Sequence, residues 1–228
     1  MHYVLLPGLH GSARLFTPFI LAAPEGATFR AVSYPLHGPQ DYDTLAAVAR
    51  AALPQNRPYV LVAESFSGPI GVRLAAEAPA GLQRLVLVAT FVVSPVPRVL
   101  AKAPNWVYEL LPMRTRWPRL ALGGTRRADF DEVLREELAA VTVEVFRGRT
   151  KALLGVDARA GLRRVVAPVL YVEAVRDWVV GPWAGRVVRR VLPEVEVRTV
   201  VGPHLVLQRA PAAVWSALDS SSHPKAAS

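Results

Sequence analysis

Pro58-Tyr59-Val60-Leu61-Val62-Ala63-Glu64-Ser65-Phe66-Ser67-Gly68-Pro69 passes from an unbroken apolar stretch into small residues and a proline. An apolar run without alternation cannot face water on either side, so Pro58 to Ala63 predicts a strand buried on both faces. Pro69 suits the first turn of a helix, where a missing N–H costs nothing, and Pro69 to Ala78 predicts a helix of small residues. Doubly buried strands of this kind occur in parallel sheets covered by helices on both sides.

The flanking sequence repeats the rhythm. Tyr3 to Leu6 reads as a short strand ended by Pro7-Gly8, Ala13 to Ala22 has helical apolar spacing, and Phe29 to Ser33 is a second strand. Tyr42 to Leu53 is an amphipathic helix behind the candidate cap Asp41. Downstream, Leu85 to Phe91, Val169 to Val172 and Val195 to Val200 predict strands, and Pro182 to Val191 and Leu205 to Leu218 predict helices. Six strands alternating with helices define an α/β protein: a mostly parallel six-stranded sheet with helices on both faces, joined by right-handed crossovers. Val92 to Arg164 breaks the pattern, offering only helical pieces such as Asn105 to Leu111 and Phe130 to Ala140. The expected organisation is a core of residues 1–91 and 165–218, an inserted helical cap over 92–164, and a small polar tail over 219–228 that reads as disordered.

Composition narrows the chemistry. The chain has 228 residues, of which 52% are hydrophobic and 20% charged, which suits a globular fold and excludes a fibrous or disordered one. The longest apolar stretch, Leu85 to Val93, is interrupted by Thr90, so no transmembrane segment is expected. Met1 to Pro7 shows no basic n-region, which predicts a cytoplasmic protein. The absence of cysteine excludes disulfides, a thiolate nucleophile and Cys-based metal sites. His2, His10, His37, His204 and His223 never fall at a metal-binding spacing, so neither a metal nor a cofactor is expected. The net charge is +9, but 24 of the 27 basic residues are Arg, a compositional habit rather than a nucleic-acid stripe. Residues 92–164 hold fourteen basic against eight acidic residues, which admits an acidic partner such as an acyl carrier protein.

A serine placed between a buried strand and a helix, with small residues two places to each side, has the form of a nucleophile elbow, where bulk at those places would collide. Ala63 and Ser67 occupy the two places, so Ser65 is the candidate nucleophile; choosing Ser67 instead would put Pro69 at its own +2 position. A serine hydroxyl needs a base, and the base a group that fixes its tautomer. Asp177 lies just beyond the Val169 to Val172 strand and His204 just beyond the last strand, giving the order Ser65, Asp177, His204. The long first gap has room for the cap, and the second holds one helix and one strand. The turn Pro7-Gly8-Leu9-His10-Gly11-Ser12 can offer backbone N–H groups to a developing oxyanion, and the amides of Leu9 and Phe66 are the two candidates. His10 reads as a loop or pocket-wall residue. Trp106 in the cap and Trp178 beside Asp177 are further substrate-side candidates, and the cap aromatics favour an apolar acyl site.

These residues together resemble the α/β-hydrolase fold serine hydrolases over about Tyr3 to Leu218. Pro7 to Ser12 is similar to the family's His-Gly-x-Gly-Gly-Ser loop, with Pro7 where the histidine usually stands, and Ala63 to Gly68 resembles the elbow with both glycines replaced. Asp177 and His204 match the family's acid and histidine. The first strand corresponds to the family's third, and the cap falls between its sixth and seventh. The set is similar to small bacterial esterases of the kind that includes the pimeloyl carrier-protein methyl esterase. The resemblance implies hydrolysis of a small-molecule carboxylic ester or thioester through an acyl-enzyme on Ser65. The same triad also serves acyl transfer, C–C cleavage and peroxidase chemistry, and the fold also serves ligand binding without catalysis.

Overall fold

The computed structural model describes residues 1–95, 122 and 128–219. Six strands, β1 (His2–Leu6), β2 (Thr28–Ala31), β3 (Tyr59–Glu64), β4 (Leu82–Val88), β5 (Val169–Arg176) and β6 (Glu196–Pro203), form one sheet in the order β2-β1-β3-β4-β5-β6. Every neighbouring pair is parallel. The described helices are α1 (Thr17–Leu21), α2 (Tyr42–Arg50), α3 (Gly68–Ala76), α4 (Ala128–Ala140), α5 (Val143–Gly155), α6 (Arg159–Leu162), α7 (Trp183–Val191), α8 (Val206–Arg209) and α9 (Pro211–Asp219).

The period-2 alternation of each strand sorts its side chains into two cores. Val4, Leu61, Leu85 and Tyr171 turn toward α2, α3 and α7, where Leu45, Ile70 and Val188 meet them. Tyr3, Val60, Val86 and Leu170 turn the other way, toward Phe19 of α1, Val206 of α8 and Trp215 of α9. All six residues of β3 are buried, as its unbroken apolar run requires.

From β1 the chain goes outward to β2 and then back past β1 to β3. The connections leaving β1 and β3 therefore pass to opposite faces of the sheet, α1 on one and α3 on the other, and the position beyond two such carboxyl ends is the usual ligand position in parallel sheets. The elbow and the Pro7 to Ser12 turn meet at that position.

Several predicted boundaries move for local reasons. The helix expected over Ala13 to Ala22 is a 3-10 turn, Ala13–Phe16, followed by α1, whose Pro18 sits at the helix start. The helix expected over Leu205 to Leu218 divides at Ala210, with φ −135° and ψ 48°, because the residue before Pro211 is driven out of the helical region. The fourth strand ends at Val88 rather than Phe91, where Ala89 takes φ 46°. Asp41 caps α2, its carboxylate accepting from the Thr44 N–H at 2.8 Å.

The chain between β4 and β5 begins and ends side by side. Val93 and Asp157 form an isolated antiparallel bridge, the Ala158 N–H donates to the Val92 carbonyl at 2.7 Å, and α6 then buries Leu162 in the α2–α3 core. The α4 residues Phe130 and Leu134 bury against Leu15 and Leu205. Arg14 donates to Glu137 at 2.6 Å and Arg209 pairs with Asp131, so much of this helix's acidic face meets the core's arginines. Asn105 to Leu111, Trp106 and residues 220–228 lie outside the described residues. Among the described residues, no helix is long and apolar enough to cross a membrane.

Trp215 anchors the second core: its ring stacks on Phe19 with centroids 4.4 Å apart, and its Nε1–H donates to the Phe19 carbonyl at 2.9 Å. Trp215→Ala is expected to cost about 3–5 kcal/mol of stability, read from urea unfolding at constant m.

Candidate active site

Ser65 stands at φ 48°, a left-handed conformation that costs a non-glycine residue about 1–3 kcal/mol and persists only where neighbours enforce it. Buried Thr90 donates from its hydroxyl to the Ser65 carbonyl. The Ala63 methyl, where glycine is usual, fits because α3 carries glycine across from it: a Cβ at Gly71 would come within 2.6 Å of the Ala63 Cβ. Ser67 is fully buried and its hydroxyl donates to the Pro7 carbonyl while lying 2.6 Å from the Tyr34 hydroxyl. Burial pushes the Tyr34 phenol well above its ordinary pKa, so it remains a neutral donor to Ser67. Ser67 thus ties the elbow to the β1 loop, while Ser65 faces an imidazole.

His204 follows β6 and is fully buried; its Nε2 lies 2.8 Å from Ser65 Oγ and its Nδ1 lies 2.8 Å from Asp177 Oδ2. A carboxylate can only accept, so Nδ1 carries the proton and Nε2 is left to accept from the serine. The other oxygen, Asp177 Oδ1, accepts from the amides of Val179 and Val180 at 2.8 and 2.9 Å. Burial, the largest effect, opposes the charge on Asp177. The hydrogen bond and charge of His204 and the two amides together outweigh it, holding the carboxyl below its ordinary pKa.

The β1 loop runs against the serine: the Cβ position of Gly8 is 3.6 Å from the Ser65 Cβ. The Gly11 N–H donates to the Gly8 carbonyl at 2.9 Å. In a trans peptide the carbonyl and the next N–H point oppositely, so the Leu9 N–H is turned out of that tight turn. The Phe66 N–H belongs to the first turn of the Ser65–Ser67 3-10 segment, whose amides lack intrahelical acceptors.

His10 is 2% exposed and sits beneath the loop: its Nδ1 accepts from the Ser12 N–H at 3.0 Å, and its Nε2 is 3.8 Å from Glu64 Oε2. Trp178 adjoins Asp177 and is 73% exposed. Sequence reasoning passed over Glu64, fully buried and bonded to Gln208 at 2.9 Å, although an acid closing an all-apolar strand was a visible signal. It also counted Arg149 with the charged cap, whereas the structure buries it against the β1 loop.

A strained serine on a parallel-sheet elbow, hydrogen-bonded to an imidazole that a buried carboxylate holds, is the constellation of the serine hydrolases. The chain belongs to the alpha/beta hydrolase family, whose sequence model matches residues 3–217. Among curated proteins no sequence matches this chain. Solved structures with the same fold include an esterase from Exiguobacterium antarcticum, 14% identical with TM-score 0.76, over 96% of this chain and 91% of that one. A bromoperoxidase from Bacillus anthracis is 17% identical with TM-score 0.76 over 96% and 90% of the two chains. An N-formylmaleamic acid deformylase from Pseudomonas putida S16 is 16% identical with TM-score 0.75 over 96% and 91%. Identities this low establish a shared fold, and the protein is a hydrolase by its family.

The pairing of Ala63 with Gly71 can be checked by a double-mutant cycle. Gly71→Ala alone is expected to destabilise by about 1–3 kcal/mol through overpacking. In an Ala63→Gly background the cost of the same change should fall, leaving only the 3.3 Å approach to Leu85 Cδ1 to set against up to about 1 kcal/mol of helix propensity.

Proposed function

We propose that the protein is a carboxylic ester hydrolase that works through an acyl-enzyme on Ser65. The observation that carries this reading is the continuous buried chain from Ser65 Oγ through His204 to Asp177, with both hydrogen bonds at 2.8 Å. As Ser65 Oγ attacks the acyl carbonyl, its proton passes to His204 Nε2. The imidazolium is stabilised by Asp177, which stays ionised because its carboxyl is held below the ordinary value. The developing oxyanion is taken up by the N–H groups of Leu9 and Phe66, a reading supported by the Gly8–Gly11 turn and by the place of Phe66 in the first turn of its 3-10 segment. The His204 proton then goes to the leaving alkoxide or thiolate. Water, deprotonated by the same nitrogen, clears the ester on Ser65 and restores the hydroxyl.

Ser65→Ala and His204→Ala should abolish turnover of p-nitrophenyl esters while leaving the thermal transition in place. Asp177→Asn should lower kcat by up to about 10⁴-fold, because it favours the wrong imidazole tautomer. Turnover surviving in Ser65→Ala would exclude the serine mechanism.

The substrate class within this reading is an acyl ester or thioester, and its carrier is an acidic protein. The support for the carrier is the charge excess of residues 92–164, which without the buried Arg149 is still thirteen basic against eight acidic. Charge acts on encounter, and it fades as the Debye length falls from about 10 Å at 0.1 M salt to about 3 Å at 1 M. The kcat/KM for a carrier-bound acyl substrate should therefore fall steeply with added salt, while that for a p-nitrophenyl ester stays level. Equal salt dependence for the two would remove the carrier from the reading.

A further inference from the structure

Arg149 heads the largest fully buried side chains of the described residues, and no carboxylate there pairs with it. Its guanidinium donates instead to three neutral oxygens: Nη1 to the Leu9 carbonyl at 2.8 Å, Nε to Gln40 Oε1 at 2.9 Å, and Nη2 to the Pro35 carbonyl at 3.1 Å. Burial draws its pKa down to about 10, against a small opposing pull from Tyr34, whose ring centroid lies 5.9 Å from Cζ. A charge placed this way is an expensive means of filling space, and an apolar side chain of like volume would do that better.

The bonds converge on one piece of backbone. The Gly8–Leu9 peptide is held by the Gly11 N–H on the Gly8 carbonyl, and the Leu9–His10 peptide is held by Arg149 on the Leu9 carbonyl. Both peptides flanking Leu9 are thus fixed, one by the turn and one by a side chain from α5. The loop is shaped around the guanidinium: Gly11 stands at φ 76°, and a Cβ there would collide with it. The Tyr34 N–H donates to the Gly11 carbonyl at 2.8 Å, and Gln40 Nε2 donates to Pro35, His37 and Gly38 carbonyls at 3.1, 3.1 and 3.2 Å. Helix α5 approaches closely enough to make this reach, since a Cβ at Gly148 would lie 2.8 Å from the Gln40 Cβ.

We propose that Arg149 is a positioning residue that ties helix α5 of the inserted segment to the oxyanion loop and holds the Leu9 N–H in its reactive orientation. The proposal rests on the acyl-enzyme reading above. With no exposed surface, Arg149 does not touch substrate and acts only through Leu9. It therefore contributes where negative charge develops on the carbonyl oxygen, and not in ground-state binding.

The test uses the full chain and Arg149→Met and Arg149→Lys, with three readouts. These are kcat and KM on a p-nitrophenyl ester, Ki for an alkyl trifluoromethyl ketone that adds Ser65 Oγ to form a hemiketal oxyanion, and the rate of Ser65 labelling by a fluorophosphonate. Arg149→Met should lower kcat about 10- to 100-fold with KM within about twofold, and Ki should rise by the factor lost in kcat/KM. Arg149→Lys, with one charged donor for the Leu9 carbonyl, should recover part of both losses. Should Arg149→Met fail to show a cooperative thermal transition, Arg149→Lys carries the comparison alone. Wild-type kcat and Ki in the folded variants, or a loss confined to KM, would overturn the proposal. A wild-type chain that no fluorophosphonate labels at Ser65 would instead overturn the acyl-enzyme reading on which it stands.

Discussion

A serine held at φ 48° is under strain, and the rest of the site exists to keep it there. The strain is useful because the sharp turn lifts Oγ off the end of β3 and toward His204. It is sustained by contacts from three directions: Thr90 on the Ser65 carbonyl, Gly71 beneath Ala63, and the Tyr34–Ser67–Pro7 bonds that fasten the elbow to the neighbouring loop. The parallel β1–β3 pairing, with Leu6 opposite Ala63, sets the distance over which those bonds form. The reversal of strand order between β1 and β3 then puts the serine where the connections part to opposite faces of the sheet.

The electrostatics of the site follow from burial. His204 is fully buried, so its tautomer must be fixed by a partner rather than by water, and Asp177 can serve only if its own charge is secured. Two backbone amides and the imidazole secure it. The same economy governs the Pro7 to Ser12 loop, where a turn and a buried guanidinium fix adjoining peptides. Preorganisation of this kind is worth more in a water-poor site than it would be in solvent.

Much of this was legible in the sequence. Unbroken apolar runs at Tyr59 to Ala63 and Leu85 to Val88 give buried parallel strands, and chain order gives Ser65, Asp177 and His204 at the ends of β3, β5 and β6. Helix subdivisions were less legible, because periodicity continues across Ala210 while Pro211 breaks the backbone. The sequence also cannot distinguish an arginine that packs inward from one that does not. Arg149 stood among fourteen basic residues of its segment, and only the approach of α5 to Gln40 and Leu9 reveals its separate role. Likewise the replaced elbow glycines looked like departures from the pattern. They are compensations shared with Gly71 and Tyr34, residues that no local motif connects to them.

The central claim is that acyl transfer passes through Ser65. It is tested most directly by quenching turnover of a slow-leaving acyl ester in acid and locating the adduct by mass spectrometry of proteolytic peptides. The account predicts one acyl group per chain, on Ser65, that forms and decays at rates consistent with kcat. Steady turnover with no adduct, or with the acyl group on another residue, would contradict it.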